Sequence, residues 1–431
     1  MSASYRPGNA EPSKTIGVGS EDSLRRVIVL SEIFYPETTS TGYYLTAIAA
    51  GLARSFSVEA ICSAPAGGQR LSKMERYCGV LVRRFGRMNP KDATIGARLF
   101  GASVRALRMG LWLTINLNRR DIVLITTNPP LLPLVAAIAC LLKRASFVLL
   151  VHDVYPMAAV VAGVLKPDSA CGRLWHVAQR RVLRQAAHII VLGRDMRGMV
   201  ARMEPAAASK TVVIPNWAET DTVRVIAKID SPFARENLAN ERFVALCAGN
   251  LGRTHDLGIL LEAARLAETD RYVLFLIAAT GSQYNWFVRE VSRNPCQSLR
   301  TVPLPLERGA QTETLAAADV VIITFKPGMA GVSVPSRMYN AMAAGKPIVG
   351  VTDDDSELAL VIREEGIGWV VSPGDADALW RVIAEARAQP ERLREMGLKA
   401  RCVAETKYSP DKILGEYRKL FDSIAAATPF L

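Results

Sequence analysis

Two doubly wound α/β units in series, each a parallel sheet with helices on both faces, form the architecture this sequence predicts. Three observations predict it. Short apolar runs of strand length alternate with helical periods through the first half of the chain. The same alternation restarts after a polar stretch at 216–235. At 431 residues, half of them hydrophobic, the chain is too long for one ordinary core.

In the first unit, expected over 23–215, the strands are Arg26–Ser31, Val58–Cys62, Gly79–Arg84, Ile122–Thr127, Ser146–His152, His188–Leu192 and Thr211–Ile214. Helical periods lie between them at Gly42–Arg54, Ile95–Asn118, Leu131–Arg144 and Gly172–Ala187. Nearly continuous apolar strands are those of a sheet buried on both faces. In the second unit, expected over 236–408, strands fall at Phe243–Ala248, Tyr272–Ala278, Leu299–Val302, Val320–Thr324, Ile348–Val351 and Trp369–Val371. Residues 216–235 read as the linker, and 409–431 as a helix returning to the first unit. Residues 1–22 are polar, rich in small residues and free of an apolar core segment, and read as a disordered lead-in.

Composition narrows the function classes. The seven cysteines and four histidines are too scattered for a metal motif, so reduced thiols and no metal site are expected. No apolar run reaches the roughly 18–20 residues that span a bilayer. Charge is uneven: residues 1–215 hold 28 Lys and Arg against 13 Asp and Glu, while 216–431 hold 25 against 28. The first half therefore suits an anionic partner. No nucleic-acid reader motif with interleaved aromatics accompanies the charge, which argues against nucleic acid.

Four segments place small and polar residues where a strand ends, the position at which open α/β sheets bind ligands. The first strand leaves through SEIFYPETTSTG, and Gly42 opens the following helix. The stretch LLVHDVYP ends a strand on His152 and Asp153, in a half of the chain poor in acids. In FVALCAGNLGRTHD, the glycines 249 and 252, Arg253 and a helix expected near Asp256 together suggest a phosphate cradle. In VPSRMYNAMAAGKP, Ser336 and Arg337 stand at a helix start, and Arg337 can add a charged fork for phosphate. Gly345 and Pro347 read as the helix terminators of that segment.

In their order and spacing, SEIFYPETTSTG, TTNPPLLP, VHDVYP, VIPNW, AGNLGRTHD, VPSRMYNAMAAGKP, Ser356-Glu357 and SPGD resemble the GT-B glycosyltransferases of family 4. The similarity runs from about Arg26 to about Ile424 and is greatest to the bacterial surface-polysaccharide branch of colanic acid and fucosamine transferases. The resemblance implies two Rossmann-like domains facing a central cleft. It implies a nucleotide diphosphate sugar (UDP- or GDP-linked) on the C-terminal domain and an acceptor, lipid-linked or saccharide, on the N-terminal one. It also implies retention of anomeric configuration, no metal and no cofactor beyond the nucleotide sugar. Arg253, Arg337 and Asp153 are then the catalytic candidates. Gly249, Asn250, Gly252, His255, Ser336, Asn340 and Glu357 are the donor-binding ones, and Gly42 and His152 lie on the acceptor side.

The chain departs from that family at three places. The glutamates of a Glu-x7-Glu motif fall on Val332 and Asn340, the Arg and Lys of the glycine loop on Asn250 and His255, and the lysine of a Pro-Ser-Lys turn on Arg337. Two other readings stay open. A sugar-nucleotide epimerase of the same architecture would turn over donor without acceptor, and a non-catalytic homologue would bind nucleotide without turnover.

The last expectation concerns location: cytoplasmic, and peripheral on an anionic membrane face. Between Arg70 and Arg120 twelve Lys and Arg face only Glu75 and Asp92. Within this stretch Leu99, Phe100, Val104, Leu107, Leu111 and Ile115 recur at helical spacing, with Arg98, Arg105 and Arg108 among them.

Overall fold

A computed structural model describes residues 24–37, 39–67, 71–90, 93–237, 239–303 and 308–427. The lead-in 1–22 lies outside them, as do Arg70, Lys91 and Asp92. The chain forms two compact units. One comprises residues 24–157, 166–215 and 413–427 of the described chain; the other comprises 216–412 together with the short segment 158–165.

The N-terminal unit holds an eight-stranded sheet. Its strands are β1 (Arg26–Leu30), β2 (Ser57–Ala64), β3 (Met74–Tyr77), β4 (Val80–Arg87), β5 (Ile122–Thr126), β6 (Ser146–Val151), β7 (His188–Val191) and β8 (Thr211–Val213). The spatial order is β3-β4-β2-β1-β5-β6-β7-β8. All pairs are parallel except β3–β4, a hairpin whose edge strand the apolar pattern does not announce because MERY is mostly polar. Every residue of β5 is buried, as a strand covered on both faces requires. The C-terminal helix Pro410–Ala427 buries Tyr417, Phe421 and Ile424, and Phe421 meets Phe56 edge-on. Arg25 ties the helix further by donating to the Ala425 carbonyl at 2.8 Å.

The C-terminal unit holds a six-stranded parallel sheet. Its strands are β9 (Phe243–Asn250), β10 (Val273–Thr280), β11 (Leu299–Pro303), β12 (Val320–Thr324), β13 (Ile348–Val351) and β14 (Gly368–Val371), in the order β11-β10-β9-β12-β13-β14. The stretch 216–235 is not a free tether. Trp217 is buried, the Ala218 N–H donates to Tyr408 O at 2.8 Å, and a short helix forms at Pro232–Glu236. Within this stretch Glu219 is buried and pairs inward with Asn340, whereas Asp221, Arg224 and Asp230 face solvent.

Candidate functional site

In the C-terminal sheet the strand order reverses between β9 and β12, which places a crevice outside their carboxyl ends. The two strands pair only at Val320↔Ala245 and Val321↔Leu246. Beyond that point β9 continues beside β10 to Asn250, and β12 continues beside β13 to Thr324. The diverging edge of β9 is closed by Arg337, the first residue of the helix Arg337–Ala343. Its guanidinium donates to the carbonyls of Ala248 at 3.5 Å and Asn250 at 3.1 Å. These carbonyls are two residues apart and so share one edge of the strand. Gly249 has φ +132°, a backbone conformation that favours glycine, and a Cβ there would lie in contact with Arg337 Cζ at 3.4 Å.

The same guanidinium donates to His255 Nε2 at 2.8 Å. Arginine has no acceptor, so Nε2 must accept, and the neutral ring carries its proton on Nδ1. Nδ1 lies 3.3 Å from the Gly252 carbonyl, which accepts a hydrogen bond from it. The Gly252 N–H lies 3.1 Å from the same nitrogen and cannot donate to it in this tautomer. Burial first, then the charges of Arg337 and Lys326, hold the His255 pKa down at about 3. A Cβ at Gly252 would meet nothing within 4 Å, so the loop leaves open space beside this residue. Arginine offers five N–H groups, and three are engaged in the contacts above. Two of them, with the charge, remain for a ligand.

The other donor-side candidates divide. Arg253 is exposed on the loop, and Asn250 ends β9 with its side chain against the turn at Gly281, where a Cβ would come within 2.4 Å of Asn250 Oδ1. The helix expected near Asp256 starts at Gly258, and the Asp256 carboxylate already accepts from the Gly258 and Ile259 N–H groups at 3.0 and 3.4 Å. That helix end is therefore occupied by a negative group, and of the cradle expected from sequence the glycine loop and Arg337 remain as candidates. Ser336 precedes the next helix without capping it through its side chain. Glu357 is buried at the start of the helix Glu357–Glu365, whose cap is Ser356, accepting from Ala359 N–H at 3.2 Å. Asp353 does not cap that helix with its side chain. Its carboxylate holds the Gly328 and Ala330 N–H groups at 3.2 and 3.0 Å. Asp354 pairs with Arg363. Among the described residues no group of three His, Cys, Asp or Glu is placed to hold a metal ion.

Asn340 sits apart from the crevice contacts. Both its amide hydrogens are engaged, with Glu219 Oε1 at 2.9 Å and Gln311 Oε1 at 2.7 Å, and its carbonyl accepts from Glu219 N–H at 3.2 Å. Arg308 also binds Glu219. The structure thus gives Asn340 a role in seating residue 219 against the unit, with no donor left for a ribose hydroxyl. Two residues that sequence reasoning missed stand out. Lys326, just past β12, lies near enough to His255 to depress its pKa, and its backbone N–H donates to Thr254 O at 2.9 Å. Glu219 supplies a carboxylate beside position 340, where the family pattern would put its own. The signal for Lys326 was present, as a cation directly after an apolar strand; none marked Glu219.

In the N-terminal sheet the order reverses between β1 and β5. The loop after β1 is held by a buried ion pair, Glu32 with Arg105 at 2.6 Å. Arg105 also donates to Asn89 Oδ1 at 2.8 Å and Arg87 O at 3.2 Å. Gly42 does not face open space: a Cβ there would lie 2.6 Å from Glu37 O, so its smallness lets the helix Ser40–Leu52 pack on that loop. Buried Thr127 accepts from the backbone N–H groups of His152 and Asp153 at 3.2 and 3.4 Å and fixes the turn that presents both. His152 Nε2 is buried without a hydrogen-bond partner, and burial lowers the ring's pKa to about 4.

Two histidines held neutral have a measurable consequence. Between the usual histidine pKa of 6.5 and the depressed values near 3 and 4, the unfolded chain binds more protons than the folded one. Folding stability contributed by these two sites should be complete above about pH 6.5 and fall as pH drops toward 4. Urea unfolding from pH 7 to pH 4.5 checks this. A slope unchanged in the His152→Gln, His255→Gln double variant would refute it.

Comparison with known proteins bears on family and fold. Residues 40–217 match the glycosyl transferase 4-like domain, and residues 229–402 match the glycosyl transferases group 1 domain. The chain is 31% identical to the probable glycosyltransferase WbjE of Pseudomonas aeruginosa, over 95% of this chain and 99% of that one. In fold it is similar to sucrose-phosphate synthase of Thermosynechococcus elongatus (TM-score 0.72, 15% identity, 94% of this chain and 100% of that one). It is also similar to Anabaena HepE in complex with UDP (TM-score 0.70, 15% identity, 93% and 100%). A third is WaaG, a glycosyltransferase involved in lipopolysaccharide biosynthesis (TM-score 0.64, 14% identity, 91% and 99%). With two Rossmann-like units of the GT-B class, both domains matched and a relative aligned end to end, the chain belongs to the glycosyltransferases that join a 4-like domain to a group 1 domain.

Proposed function

We propose that this glycosyltransferase moves a sugar, with retention of configuration, from a nucleotide diphosphate sugar to a lipid-linked or saccharide acceptor in surface-polysaccharide or lipopolysaccharide assembly. The observation that carries the donor side is the guanidinium of Arg337, fixed where β9 and β12 diverge, with two N–H groups left for an anion. Diphosphate oxygens accept from these donors. Lys326 and exposed Arg253 add positive charge, so the developing charge of the leaving diphosphate is met by fixed cations rather than by a metal. The leaving group then helps to deprotonate the acceptor hydroxyl on the same face as the departing bond, which keeps the configuration. Glu357 and Ser336 hold hydroxyls of the donor, and Asp153 with His152 orients the acceptor. Retention and lipid or saccharide acceptors follow the family resemblance. The complexes of HepE with UDP and with UDP-glucose favour a uridine donor, and the involvement of WaaG in lipopolysaccharide biosynthesis favours a surface glycan.

The deciding experiment incubates the chain with UDP- and GDP-sugars, with and without acceptor, and reads the product's anomeric configuration by NMR. Transfer only in the presence of acceptor, with retention, is expected. An isomerised nucleotide sugar formed without acceptor would establish the epimerase reading instead. Activity should be unchanged by EDTA, and an absolute need for Mn²⁺ or Mg²⁺ would overturn the cation-only account. In a thermal-shift panel of UDP, GDP, dTDP and CMP, the cognate nucleotide at ~100 times its Kd stabilises the chain by roughly 2.7 kcal/mol.

A further inference from the structure

The connections from β4 to β5, β5 to β6 and β6 to β7 run the same way across the N-terminal sheet. Right-handed crossovers therefore set the helices Ile95–Asn116, Leu132–Lys143 and Ala170–Gln185 on one face. The three pack side by side. The first two approach closely, because a Cβ at Gly110 would lie 2.0 Å from Val135 Cγ1. Their inner sides are buried at Met109, Leu113, Ala136, Cys140 and Leu183.

Their outer sides are unusual for a surface in contact with water. On the first helix Phe100, Leu107, Leu111 and Ile115 are exposed, at 73, 56, 63 and 68%. The second exposes Ile138, Leu141 and Leu142, and the third exposes Leu174 at 72% and Val177. Contiguous apolar patches of this kind mark interaction sites. None of the three helices contains an Asp or Glu, whereas Arg98, Arg108, Arg173 and Arg181 are exposed on them and Arg144 follows the second.

We propose that this three-helix face docks on an anionic lipid bilayer, its leucines and Phe100 entering the headgroup boundary and its arginines binding lipid phosphates. The charge pattern selects the occupant. A second copy would set one acid-free cationic face against another, and like charges across an interface are unfavourable. An acidic polymer would satisfy the arginines but leave the apolar residues in water. A bilayer with anionic headgroups meets both demands. The proposal extends the helix expected from sequence to a surface of three and removes Arg105 from it, since that residue points inward to Glu32. It does not depend on the proposed chemistry.

The test is flotation of the full chain with vesicles of phosphatidylcholine alone or mixed with phosphatidylglycerol, at low and high salt. Binding to the mixed vesicles at low salt, at least tenfold above that to phosphatidylcholine and weakened by salt, is expected. Arg108→Gln with Arg181→Gln should lower it about thirtyfold. Leu107→Ser with Leu141→Ser should lower it about tenfold or more, with thermal stability unchanged because both side chains are exposed. Equal failure to bind either vesicle at low salt overturns the proposal. So does a dimer in sedimentation analysis that the two serine substitutions disperse.

Discussion

Arg337→Ala should lower kcat/KM for sugar transfer by about 10²–10³-fold, the loss typical when one preorganised donor to a developing charge is removed. Affinity for the nucleoside diphosphate should fall with it, since in the proposed site the guanidinium meets the same phosphates in ground state and transition state. The substitution also takes a partner from the Ala248 and Asn250 carbonyls, at a stability cost of about 1–3 kcal/mol, so nucleotide binding is measured on protein shown to be folded. Arg337→Lys separates charge from shape. Lysine restores the residue the family carries in its Pro-Ser-Lys turn, but one ammonium cannot reach Ala248 O, Asn250 O and His255 Nε2 in the plane that the guanidinium spans. Partial activity, between wild type and alanine, is the expected outcome. Wild-type affinity and rate in Arg337→Ala would remove this residue from the donor site.

His255 enters the same account as a positioning residue. It cannot bind phosphate as a cation, because its ring stays neutral until about pH 3. Its effect is to hold the guanidinium through Nε2 while Nδ1 is tied to the Gly252 carbonyl. The lysine that the family pattern places at this position is therefore not replaced by another charge there. The charge comes from the neighbouring helix, through Arg337.

Much of this was legible in the sequence, for identifiable reasons. Apolar strands buried on both faces leave an unbroken hydrophobic signal, so β5, β12 and β13 fall within a residue of where the pattern puts them. The two strand-end loops of the C-terminal sheet were legible because glycines and a cation after a strand have few other uses. What the pattern could not give was partnership across long sequence separations. The Asn340 amide looks from sequence like a reduced ribose acceptor, yet its contacts run to Glu219, 121 residues away. Asp256 looks like part of a phosphate cradle, yet it occupies the helix end itself. The edge strand β3 was missed because an edge strand facing water has no apolar alternation to show.

Arg105 is the sharpest of these cases. From sequence it belongs with Arg98 and Arg108 as one of three cations on an amphipathic helix. In the structure it is 7% exposed and paired with Glu32, itself 8% exposed, at the carboxyl end of β1. Around that pair the backbone of Glu32 links its neighbours: its N–H donates to Asn128 O at 3.4 Å, and its carbonyl accepts from Ser63 N–H at 3.1 Å. Glu32→Ala leaves a guanidinium enclosed with only Asn89 and the Arg87 carbonyl to meet it. Stranding one member of a buried pair costs about 3–5 kcal/mol. The remaining contacts place the expected loss near the lower end, about 3 kcal/mol. Replacing both partners by apolar residues of similar volume, Glu32→Met with Arg105→Met, should recover most of that loss, because the desolvation penalty disappears along with the attraction. Arg108→Ala, on the exposed side of the same helix, should change stability by no more than about 0.5 kcal/mol. Urea unfolding of the four proteins measures all of this. If Glu32→Ala and Arg108→Ala prove equally mild, then Arg105 is solvated after all and must be returned to the outer face with the other arginines.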